Sequence, residues 1–129
     1  MPPAAAPSPL ARSSGYIPWG LLAVIDLHDC RPDRLTDPDA IRHFMPTVIH
    51  AIGMRSRGDL ALDRFGDGEL EGWSAMQFIE TSSITVHADE VENRCFVDIF
   101  SCRSFDTAAA AAIATEHFGG TATVRTLRR

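Results

Sequence analysis

The sequence predicts an α+β protein, a two-layer α/β sandwich with a mostly antiparallel sheet and two helices on one face. Three observations carry this. Short, mainly apolar or alternating runs recur along the chain and read as strands. Two stretches read as helices, one with an apolar stripe at helical spacing and one rich in Ala. Their order is strand, helix, several strands, helix, strand.

The first ordered element is Leu21 to Leu27, an apolar run that reads as a buried strand. His28-Asp29-Cys30-Arg31-Pro32 ends it. Asp37-Pro38 opens a helix, with Pro tolerated in its first turn. Ile41, Phe44, Met45, Val48, Ile49 and Ile52 form its apolar stripe, and Gly53 stops it. Pro46 lies inside that pattern and should kink the helix or delay its start. Leu60 to Phe65, Trp73 to Ile79, Ile84 to His87 and Cys95 to Cys102 read as strands. Residues 66–72 read as a loop, and Asp89 to Arg94 as a hairpin connection. Asp106 caps a second helix, Thr107 to Phe118, which Gly119-Gly120 terminates. Residues 121–127 alternate and give a last strand.

Length and composition set the class. The 129 residues, 45% of them hydrophobic, suffice for one domain with a real core. Residues 1 to about 15, rich in Pro, Ala and Ser, read as a mobile tail, which leaves 16–129 as a single domain. That tail lacks the charged start and apolar stretch of a signal peptide. The net charge of −5 and the lack of a basic patch argue against nucleic acid as a partner. The longest apolar run, Trp19 to Ile25, is too short to span a bilayer, so no membrane partner is expected. The three cysteines, Cys30, Cys95 and Cys102, include no CxxC pair, which argues against a disulfide scaffold or a zinc site. A reducing, cytoplasmic location fits.

The histidines give no ligand pattern. His43 and His50 fall opposite the apolar stripe, His117 ends a helix, and His28 sits in a polar turn. No metal is expected. Nucleophile candidates are Ser82, Ser83 and Cys102, and no GxSxG elbow supports a hydrolase. One at a time, each has an ordinary structural reading: a turn Ser, or a Cys in a strand core.

Their combination is more specific. The segment Ser74-Ala-Met-Gln-Phe-Ile-Glu-Thr-Ser82-Ser-Ile-Thr-Val-His87 resembles the processing segment of the prokaryotic S-adenosylmethionine decarboxylases. Cys95-Phe-Val-Asp-Ile-Phe-Ser-Cys102 resembles the strand that carries that family's catalytic Cys. Relative to Ser82, Ser74 lies eight residues before, His87 five after and Cys102 twenty after, which are the family's offsets.

The resemblance implies a chain that cleaves itself between Thr81 and Ser82. Ser82 becomes a pyruvoyl group, and neither a metal nor pyridoxal phosphate is needed. In the family that group forms a Schiff base with the substrate amine and takes up electrons as CO₂ leaves. His87 is then the acid/base of processing, Ser74 assists processing or positions the substrate, and Cys102 reprotonates the product carbon. The implied role is α-decarboxylation in polyamine synthesis. The implied assembly is a homodimer with active sites near the subunit interface.

The chain departs from the family in three places. Thr81-Ser82-Ser83 stands where the family has Glu-Ser-His. Gly66-Asp67-Gly68 stands where a His-x-Phe segment stacks on adenine, and Ala88-Asp89-Glu90-Val91 where it has Thr-Trp-Pro-Glu. Asp67, Glu69, Asp89 and Glu90 therefore form an acidic set near the expected pocket, suited to a guanidinium or an ammonium group. S-adenosylmethionine is the family's default substrate, and arginine or ornithine is the rival. The alternative function is an unprocessed, non-catalytic paralogue that regulates a true decarboxylase. A plain small-molecule-binding domain is a third reading.

Overall fold

The computed structural model describes residues 18–129; the expected tail, residues 1–15, lies outside the described residues. Six strands, β1 (Leu21–His28), β2 (Ser56–Phe65), β3 (Gly72–Ile79), β4 (Ser82–Asp89), β5 (Arg94–Ser101) and β6 (Thr121–Arg128), form one sheet. Its order is β2-β3-β4-β5-β1-β6, and every neighbouring pair is antiparallel. Three helices accompany it: α1 (Pro32–Leu35), α2 (Pro38–Ala51) and α3 (Thr107–Phe118). The α+β sandwich expected from the sequence is the fold observed.

The core follows from strand alternation. Leu21, Ala23, Ile25 and Leu27 of β1 are buried, as are Ile84 and Val86 of β4 and Cys95, Val97 and Ile99 of β5. These meet Ile41, Phe44, Met45, Val48 and Ile49 of α2 and Ala110, Ala114 and Phe118 of α3 in one cluster. Phe44 and Phe118 join the two helices, with ring centroids 5.2 Å apart. The intervening strand residues form a second face that no helix covers. Phe65, Met76, Phe78 and Leu127 on that side are exposed.

Both predicted caps form. The Asp37 carboxylate accepts from the Asp39 amide, and that of Asp106 from the Ala109 amide. Gly120 ends the turn after α3 with φ +81, and a Cβ there would fall 2.1 Å from the His28 carbonyl oxygen. Only glycine lets β6 start beside the end of β1 at this point.

Three expectations need correction. The helix starts at Pro38 and continues through Pro46 to Ala51, so Pro46 does not delay its start. Pro46 faces solvent, and the contacts of Phe44, Met45, Val48 and Ile49 hold the helix against the core. Tertiary burial outweighs the one lost backbone bond. Among the described residues there are three α-helices rather than two, because α1, a single turn with Pro32 at its first position, adds to the two expected. Strand β2 begins at Ser56 rather than Leu60, since an irregularity between Arg57 and Ala61 interrupts its pairing with β3 and erases the alternation there.

Candidate active site

Ser82 opens β4 just after a tight turn. Ile79 pairs with Ser82 across β3 and β4, so Glu80 and Thr81 alone connect the strands. The Glu80 amide donates to the Arg55 carbonyl at 3.1 Å. Thr81 sits at φ 56. The Ser82 side chain points to the buried side, and the residue is 8% exposed. Its Oγ accepts a hydrogen bond from the Cys102 backbone N–H at 2.7 Å. Such a donor stabilises negative charge on Oγ when the hydroxyl acts as a nucleophile.

Cys102 follows the last residue of β5 and is half-buried. Its thiol lies 4.0 Å from the Glu80 carbonyl oxygen. Gly20 makes room here: a Cβ on it would fall 2.2 Å from the Ser101 carbonyl oxygen and 3.1 Å from the Cys102 Cα. The other two cysteines are buried. Desolvation, with a smaller contribution from Asp29, pushes the Cys30 thiol up to about 11. Desolvation, helped by Cys30, pushes Cys95 up further. Both stay neutral thiols at physiological pH, and Cys102 is the least buried of the three.

Ser74 and His87 form a second pair. They face each other across β3 and β4, and His87 Nδ1 lies 2.8 Å from Ser74 Oγ. Both belong to the sheet face that the helices leave open. The register extends the pair into a row: Asp63 opposes Ser74, and Phe96 opposes His87. A cavity of about 630 Å³ opens on this side, lined among others by Asp63, Phe65, Ser74, Met76 and His87.

The four residues grouped by their offsets thus form two pairs. Ser82 meets Cys102, and Ser74 meets His87. Ser82 and His87 are five positions apart on β4, an odd offset, so the two side chains point to opposite faces. Along the strand they stand about 16 Å apart.

The acidic set divides as well. Glu90 holds Arg64 through two hydrogen bonds of 2.7 and 2.9 Å, and Glu71 takes the same guanidinium at 2.7 Å. These bonds, that of Glu90 first, push the Arg64 pKa further up. Asp89 pairs with Arg94 at 2.7 Å. Asp89 and Glu90 therefore already bind guanidinium groups of their own chain. Asp67 and Glu69 are exposed in the β2–β3 connection. Sequence reasoning missed Asp63, Phe65 and Phe96, which flank the Ser74–His87 pair. Only the strand register places them there, and offsets within one segment do not carry it.

Among the described residues, no group of three or more His, Cys, Asp or Glu side chains is placed to hold a metal ion. No helix among them is long and apolar enough to cross a membrane.

This architecture matches a solved structure. The adenosylmethionine decarboxylase from Aquifex aeolicus VF5 superimposes with a TM-score of 0.72 at 15% identity, over 87% of this chain and 91% of that one. The fold is therefore of the adenosylmethionine decarboxylase type. A family model described as S-adenosylmethionine decarboxylase matches residues 22–129, and the chain belongs to that family. No match appears among curated proteins.

Proposed function

We propose that this chain is the precursor of a pyruvoyl-dependent α-decarboxylase that cleaves itself between Thr81 and Ser82 and works as a homodimer. The observation that carries the reading is the division of the four reactive residues into two pairs about 16 Å apart on opposite sheet faces. Within one chain His87 cannot reach Ser82. A two-fold partner on the open face, with its axis running across the strands, brings the His87 end of one copy to the end of the other's β4, where Ser82 adjoins the β3–β4 turn. The exposed Phe65, Met76, Phe78 and Leu127 suit such burial.

The residues fit the group expected at position 82. The Cys102 N–H offers a donor to an oxygen there. A pyruvoyl group supplies a carbonyl that withdraws electrons while CO₂ departs. The Cys102 thiol delivers the proton that replaces CO₂. The Ser74 hydroxyl fixes the ring orientation of His87, which moves protons during processing. The substrate is an α-amino acid with a cationic side group. Phe65 offers an exposed ring, Arg94 already lies over the Phe96 ring at 5.6 Å, and Asp63 makes no ion pair among the described residues. S-adenosylmethionine, arginine and ornithine all meet this description, and S-adenosylmethionine is the family's own substrate.

The test is a mixing experiment with CO₂ release as a second readout. Ser82→Ala and His87→Ala chains, each expressed alone, should both stay uncleaved. Coexpressed, they should yield cleaved His87→Ala chain, because the partner lends its His87. CO₂ release from the three candidate substrates then names the substrate. Cleavage of His87→Ala on its own, or no cleavage after coexpression, would contradict the shared site.

A further inference from the structure

Thr81 carries a conformational strain that the proposed chemistry can use. It is β-branched, yet it sits at φ 56, in the left-handed region. Both branches of its Cβ crowd the backbone there, so this is a true outlier for its residue type. The other two non-glycine residues with positive φ among the described residues, Asp29 and Asn93, have short polar side chains that tolerate the region. Thr81 has no such excuse, and it provides the carbonyl of the bond between Thr81 and Ser82.

The surroundings hold the strain in place. The Ile79–Ser82 pairing closes the turn from the ladder side. The Glu80 amide is tied to the Arg55 carbonyl at 3.1 Å. The Cys102 N–H fixes Ser82 Oγ at 2.7 Å. The Thr81 hydroxyl donates to the Glu80 carbonyl at 2.9 Å, which satisfies it without relaxing the backbone. Strain persists when neighbouring contacts over-determine a residue, and it gathers where it serves a reaction.

We infer that the left-handed backbone of Thr81 drives the self-cleavage of this chain, through strain that is released when the Thr81–Ser82 bond opens. The inference rests on the self-processing reading above. In the first step Ser82 Oγ bonds to the Thr81 carbonyl carbon, the C–N bond breaks, and the hydroxyl proton ends on the freed Ser82 amine. The amide has become an ester. Loss of the Ser82 Hα as a proton then expels the Thr81 carboxylate from Cβ. The enamine left at residue 82 tautomerises to an imine, takes up water and releases ammonia as the pyruvoyl carbonyl forms. No oxidant is needed. The ester link lets Thr81 relax at the first step, and the cleaved chain ends at a free Thr81.

The test compares cleavage rates of purified precursors. Thr81→Gly and Thr81→Asn, which tolerate φ 56, should cleave about tenfold more slowly, equivalent to about 1.4 kcal/mol of barrier. Thr81→Val keeps the branched Cβ and loses the hydroxyl, so it should cleave at the wild-type rate. Hydroxylamine, which cuts esters, should trap less ester in the Gly and Asn variants than in the wild type. A Gly variant that cleaves as fast as wild type, or a Val variant as slow as Gly, would overturn the inference. Wild-type chain that never cleaves would instead overturn the self-processing reading on which it rests.

Discussion

Ser82→Ala should remain one uncleaved chain of 129 residues and should release no CO₂ from any substrate. The substitution removes Oγ, the atom that attacks; without the ester no elimination follows and no pyruvoyl group forms, so both activities vanish together. The fold should survive. Ser82 contributes one side-chain hydrogen bond, from the Cys102 N–H, and losing such a bond costs about 1 kcal/mol. The freed N–H sits beside a half-buried Cys102 at the end of the sheet, where water can reach it. Unfolding should therefore shift by only a few degrees while cleavage stops. Intact mass after prolonged incubation, beside a thermal melt, measures both. Cleavage of the variant at the same bond would show that Ser82 is not the nucleophile.

Cys102→Ala should separate the two activities. Its contact with Ser82 is made by the backbone N–H, which Ala retains, so the chain should still cleave. The thiol alone is lost. General acid catalysis by a positioned side chain is worth about 10²- to 10⁴-fold, and turnover per cleaved chain should fall by that factor. Cys30 and Cys95 cannot substitute, because both are buried. Pyruvoyl content by mass, paired with CO₂ release, checks the split. Unchanged turnover would remove Cys102 from the chemistry. A chain that no longer cleaves would place the thiol in processing instead.

The fold was legible wherever one physical signal dominated. Asp37 and Asp106 announced the helix starts because a carboxylate there caps orphan amides. A mainly apolar run marked β1, and alternation marked β3, β4 and β5 because one face of each is buried. The first residues of β2 stayed hidden, since an edge strand with an irregular register has no buried face to pattern. Pro46 misled because a local rule yielded to the core contacts around it.

The site was legible in its residue types and not in its arrangement. Offsets of eight, five and twenty singled out Ser74, His87 and Cys102 around Ser82. Parity along β4 then puts Ser82 and His87 on opposite faces, a consequence that follows only once β4 is known to be an unbroken strand. The acids Asp89 and Glu90 looked free in the sequence. Their partners Arg94 and Arg64 come from the next strand and from an edge strand, a pairing that only the register reveals. The strain at Thr81 was invisible for a related reason. Composition says Thr, and only the closed turn says φ 56.

The most direct test of the central claim is the intact mass of the freshly purified wild-type protein. Two fragments are predicted, 1–81 and 82–129, the second beginning with a pyruvoyl group in place of Ser82. A single chain that persists through long incubation would contradict self-cleavage and favour a non-catalytic paralogue that regulates a true decarboxylase.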